Sequence, residues 1–82
     1  MKLPRNLSGN ELANRLVRFG YRITRQTGSH MRLTTEKNGE HHLTIPDHSP
    51  LRIGTVSSII NDVATHLGFS RDEIMFRLFG NR

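Results

Sequence analysis

Gly28-Ser29-His30 is the stretch of this chain best suited to chemistry. A small, flexible dipeptide delivers a histidine to the start of a strand-like run, Met31 to Thr35. An imidazole on the rim of a sheet has room beside it for a substrate. Its ordinary pKa of about 6.5 suits it to take or give a proton near neutral pH. Arg32 follows two residues later, on the same face of an extended chain, where a guanidinium would steady negative charge. Ser29 can offer its hydroxyl to a phosphate. Periodicity alone favours reading His30 as a strand-end histidine that hydrogen-bonds its own turn.

Other candidates are weaker. His48 lies in the turn-rich loop Pro46-Asp47-His48-Ser49-Pro50, where functional groups often sit, or where a residue simply caps the next helix. Gly54 and Thr55 open that helix, whose free backbone N–H groups suit a phosphate as well as ordinary capping, and Arg52 adds charge beside them. His41 and His42 are strand neighbours that point to opposite faces. They cannot share one ion, and no cysteine or clustered carboxylate completes a ligand set, so neither a metal site nor a cofactor is expected. Two-metal phosphoryl chemistry would need grouped acids. Glu11, Asp62, Asp72 and Glu73 are instead spread over helices as caps and solvated faces.

The elements that position these residues follow from spacing. Ser8 and Glu11 form an S-x-x-E capping box, and Leu12, Leu16 and Phe19 recur at helical intervals up to Gly20, which stops the helix. Tyr21 to Gln26 alternates as a strand, with Tyr21 and Ile23 on one face and Arg22 and Thr24 on the other. After the Thr27-Gly28-Ser29 turn, His30 to Thr35 and Glu40 to Ile45 form a hairpin around Asn38-Gly39. A three-residue loop, Lys37-Asn38-Gly39, sets Leu33 opposite Leu43 and Met31 opposite Ile45. A two-residue loop would mix the faces. The other face then carries Arg32, Thr34, His42 and Thr44, with His30 at its end.

Val56, Ile59, Ile60, Val63, Ala64 and Leu67 mark the next helix, closed by Gly68. Ser70 and Glu73 predict a second capping box and a short last helix. Its Met75, Phe76 and Phe79 either complete the core or make contact with a partner. The order is α-β-β-β-α plus a short C-terminal helix: an α+β fold with two helices on one face of a three-stranded antiparallel sheet. Residues 1–82 are expected to form a single domain.

Composition bounds the partners. The chain has 82 residues, 12 Lys and Arg against 7 Asp and Glu, and a formal net charge of +5. A polyanion is the default partner of such a surface, though a plain basic domain is the competing reading. Hydrophobic residues make up only 34%, so help from a partner or self-association is expected, as a monomer or weak homodimer. There is no cysteine, which suits a reducing cytoplasm. No apolar stretch approaches the roughly 20 residues of a membrane helix, and Met1 to Arg5 lacks the apolar core of a signal peptide.

Taken in order, the first helix, Gly20-Tyr21, Gly28-Ser29-His30, Ile45-Pro46, His48 and Gly54-Thr55 resemble the HicA toxin family of bacterial and archaeal toxin–antitoxin systems. The likeness runs over roughly residues 8 to 79. It implies a fold similar to double-stranded-RNA-binding domains, a ribosome-independent mRNA endonuclease, and neutralisation by a HicB-type antitoxin. The family's functional histidine corresponds to His30. Where family members often carry an aromatic or larger apolar residue soon after it, this chain has Met31-Arg32-Leu33. With mRNA as substrate, His30 becomes the expected proton-transfer residue. Ser29, Arg32, His48, Arg52 and Thr55 become the expected RNA contacts. RNA supplies its own 2′-OH nucleophile, and cleavage is expected to need no metal, because the acids are spread over the helices and not clustered.

Overall fold

Ser8 starts the first helix: its hydroxyl accepts from the Glu11 amide at 3.0 Å while the Glu11 carboxylate accepts from the Ser8 amide at 2.9 Å. This reciprocal box satisfies two donors that a helix start leaves open. The computed structural model describes residues 3–80. Its elements are α1 (Gly9–Arg18), β1 (Arg22–Thr27), β2 (His30–Thr35), β3 (His41–Pro46), α2 (Ile53–Leu67) and α3 (Arg71–Phe79). The strands form one antiparallel sheet in the order β1-β2-β3. The architecture is the expected α+β arrangement, with the helices over one face and the other face open.

The hairpin register is the expected one. Met31 lies opposite Ile45 and Leu33 opposite Leu43. All four side chains are buried, in one cluster with Leu12 and Leu16 of α1 and Val56, Ile60 and Val63 of α2. Burying a large aliphatic side chain is worth about 1.5–3 kcal/mol, so a slip exposing this set would be costly. The β1–β2 turn is two residues, Gly28-Ser29, with Gly28 at φ +48, a left-handed conformation that glycine takes at the least cost.

Three details depart from the sequence reading. β1 begins at Arg22, and its register shifts between Ile23 and Arg25, so Thr24 is an extra residue in a bulge. Strict alternation would have put Arg25 on the helix side with Ile23. The bulge instead sets Arg25 opposite Arg32 on the open face. α2 begins at Ile53, one residue before Gly54, with Arg52 as an N-cap that makes no side-chain capping bond. At α3 the Ser70 hydroxyl accepts from the Glu73 amide, but the Glu73 carboxylate turns to Arg77 at 2.9 Å. The return bond of the expected box is replaced by an ion pair one turn on. Within α3, Met75 is buried in the core and Phe79 is half-buried, whereas Phe76 is 58% exposed.

Candidate active site

His30 starts β2, paired with Thr27 on one side and Pro46 on the other. Both neighbours brace it. The loop after β3 docks on the β1–β2 turn through the Asp47 amide, which donates to the Ser29 carbonyl at 2.7 Å. Gln26 Nε2 donates to Asp47 Oδ2 at 3.4 Å. The Ser29 hydroxyl lies 3.3 Å from His30 Nδ1. The Nε2 atom has no hydrogen-bond partner among the described residues, and the residue is exposed. A ring held at one nitrogen and open at the other is the arrangement a proton-transfer histidine needs.

His30 lines a cleft of about 460 Å³ along the β3 edge, closed on its far wall by the first turns of α2. Thr55, Gly54 and Ser58 line it from the helix, and His42 and Thr44 from the strand. Two of the expected residues, His30 and Thr55, separated by 25 positions, thus line the same space. Asp62 also lines the cleft. Spacing alone places it on a solvated helix face. Its signal was its place two turns along the face that carries Thr55.

The other expected contacts divide. Ser29 touches His30. Arg32 lies two residues along the same sheet face and lines a neighbouring groove with Arg22, Arg25 and His42. His48 and Arg52 are exposed and line neither space. The His48 carbonyl accepts from the Gly9 amide at 2.8 Å, so this residue anchors the start of α1.

His42 separates the two spaces and is fixed by a polar chain. Its Nε2 lies 2.9 Å from Glu40 Oε2, and its Nδ1 lies 2.9 Å from Thr34 Oγ1, which in turn lies 3.0 Å from Thr24 Oγ1. A carboxylate only accepts, so Nε2 carries the hydrogen there; with the ring neutral, Nδ1 accepts from Thr34. Behind the cleft, burial and then the Asp62 charge push the Tyr21 hydroxyl up to about 12. Burial, and then the neighbouring His66, lower His41 from its ordinary value, with Asp62 acting in the opposite direction. Among the described residues no three His, Asp or Glu side chains are grouped to hold a metal ion. No helix there is long and apolar enough to cross a membrane.

The family model described as HicA toxin of bacterial toxin-antitoxin matches residues 9–64. That span runs from the first residue of α1 into α2 and includes the whole sheet, the His30 cleft and the loop between β3 and α2. No curated protein and no solved structure matches the chain.

Proposed function

Since the chain belongs to the HicA toxin family, and so is the toxin of a toxin–antitoxin pair, we propose that it is an mRNA endoribonuclease acting through His30 and silenced by a HicB-type antitoxin. The observation that carries the reading is His30 itself, which lines the cleft with Nδ1 beside the Ser29 hydroxyl and Nε2 without a hydrogen-bond partner among the described residues.

The chemistry is a displacement within the RNA. The 2′-oxygen forms a bond to the adjacent phosphorus, and the bond from phosphorus to the 5′-oxygen breaks. The products are a cyclic phosphate and a 5′-hydroxyl. The 2′-OH must lose a proton and the leaving oxygen must gain one. His30 carries one of these transfers. The scissile phosphate sits between His30 and the first turn of α2, where backbone N–H groups and the helix dipole favour an anion. Thr55 and Ser29 supply hydroxyl donors, while Arg32 in the neighbouring groove and Arg52 at the exposed start of α2 supply positive charge to the flanking strand. His48 serves the loop that seats the RNA. The reaction needs no metal. The antitoxin presents an acidic face that covers His30 and the basic surface around it.

Incubation of a defined mRNA with the purified chain and with His30→Ala, both in EDTA, tests the reading. Cleavage by the wild type, slowed by about 10²–10⁴-fold in the variant, is the expected result. Equal cleavage by both would remove His30 from the reaction. RNA bound but cut by neither would make the chain a binding module. Activity that appears only with magnesium would overturn the metal-free mechanism.

A further inference from the structure

The bulge at Thr24 adds Arg25 to Arg22 and Arg32 on the open sheet face. Arg25 stands directly across from Arg32, and Arg22 across from Thr34. Like charges directly opposite on a sheet destabilise it. Neither Arg25 nor Arg32 forms an ion pair or a side-chain hydrogen bond among the described residues. The groove they line measures about 470 Å³ and is floored by the Thr24 and Thr34 hydroxyls. Its two carboxylates, Glu36 and Glu40, lie at the hairpin end, away from His30. They are engaged with Arg22 at 3.7 Å and His42 at 2.9 Å. Positive charge therefore remains unmatched on the side that leads to His30.

We propose that this face is a phosphate track for single-stranded RNA, with Arg25, Arg32 and Arg22 holding the backbone of the strand whose scissile linkage lies at His30. The proposal rests on RNA being the substrate. From His30 to Thr34 the track is roughly 13 Å long at strand spacing, enough for more than one phosphate. Its floor is polar and carries no Phe, Tyr or Trp. It lacks the aromatic platforms on which bases stack and the apolar centre of a protein interface. What it offers is charge and hydroxyl donors, which suit a sugar–phosphate backbone read without sequence preference. A single strand also suits the reaction, because a flexible linkage can bring its 2′-oxygen into line with the leaving group and a regular duplex restrains it.

Binding of a short, uncleavable 2′-O-methyl RNA, followed by fluorescence anisotropy across a salt series, tests the track. Arg25→Gln and Arg22→Gln/Arg25→Gln are compared with Arg18→Gln, which removes the same charge from exposed α1. The track variants should lose affinity several-fold per arginine, with the log–log salt slope falling by about 0.7 per lost contact. Arg18→Gln should bind as the wild type does. Arg25 makes no side-chain bond, so its variant should melt at or above the wild-type temperature, which separates lost binding from lost fold. Arg25→Gln behaving like Arg18→Gln would overturn the track. So would track variants that keep RNA but lose an acidic antitoxin, which would make the face a protein interface. His30→Ala should bind like the wild type. If it also cleaves normally while the track variants lose RNA, the catalytic reading fails and the track stands.

Discussion

The rings of His41 and His66 lie stacked, their centroids 4.2 Å apart and their planes 12° from parallel. One belongs to the first residue of β3 and the other to the last turn of α2. His66 Nε2 lies 2.8 Å from the Lys37 carbonyl and 2.9 Å from that of Gly39. Both partners are acceptors, so this nitrogen carries a hydrogen and shares it between them. Asn38 Nδ2 returns a bond to the His66 carbonyl at 2.8 Å. The β2–β3 turn is thereby clasped to the end of α2, which holds the edge strand of the cleft at a set distance from its helical wall.

His41 makes stability depend on pH. The His41 Nδ1 atom lies 3.0 Å from the Tyr21 hydroxyl, which donates to it when the ring is neutral. Burial first, and then His66 and His42, hold the His41 pKa below 6.5, with Asp62 partly offsetting them. Between that lowered value and 6.5 the unfolded chain binds more protons than the folded one, so stability rises with pH there. The contribution is complete above the unfolded value and is lost as pH falls through the folded one. Urea midpoints should drop on acidification below about pH 6.5, and His41→Gln should flatten that part of the curve. A slope unchanged in the variant would assign the effect elsewhere.

Tyr21 gives a second, independent reading of the same cluster. It is the one tyrosine in a chain without tryptophan, so tyrosinate absorbance reports it alone. Its hydroxyl should ionise near 12, against an ordinary 10.0. The raised value contributes stability below pH 10, which is lost as pH climbs through the folded value. Asp62→Asn should bring the midpoint down, because the Asp62 charge is the second cause of the shift after burial. A midpoint at the ordinary value would mean that the hydroxyl is not desolvated in solution.

Thr35 is fully buried, and its hydroxyl donates to the Gly20 carbonyl at 2.9 Å and accepts from the Lys37 amide at 3.1 Å. It ties the end of α1 to the start of the hairpin turn. Thr35→Val keeps the shape and strands both backbone groups, and should cost about 1–3 kcal/mol in chemical denaturation. Thr35→Ser keeps the hydroxyl and should cost clearly less. A Thr35→Val variant as stable as the wild type would mean that the two backbone groups do not depend on this hydroxyl.

Gly9 packs the start of α1 against the site loop. A Cβ there would collide with the Pro46 carbonyl, while the Gly9 amide already donates to the His48 carbonyl at 2.8 Å. Gly9→Ala should destabilise the chain by about 1–3 kcal/mol, the usual cost of overpacking. It should also slow RNA cleavage, since Pro46 is the cross-strand neighbour of His30. Stability lost with cleavage intact would separate this brace from the active site.

Much of the scaffold was legible from residue order. The Ser8–Glu11 box, the stop at Gly20 and the α2 stripe are local patterns, decided by partners a few positions away. The β2–β3 register was legible too, because one loop length buries Met31, Leu33, Leu43 and Ile45 together and the alternative divides them. His30 at a strand end followed from Gly28-Ser29.

The bulge at Thr24 was not legible. β1 is an edge strand with every residue exposed, so no apolar alternation records on which face each side chain lies. Only pairing against β2 decides that Arg25 meets Arg32. The His41–His66 stack and the entry of Asp62 into the cleft join residues from β3 and α2, and depend on how far the helix lies from the sheet edge. Sequence by itself determined the elements, their order and the position of the histidine, because these follow from spacing and side-chain type. Tertiary structure alone decided which charges share a surface and which rings touch. Those relations are set by packing between elements, and packing distance leaves no periodic mark in the chain.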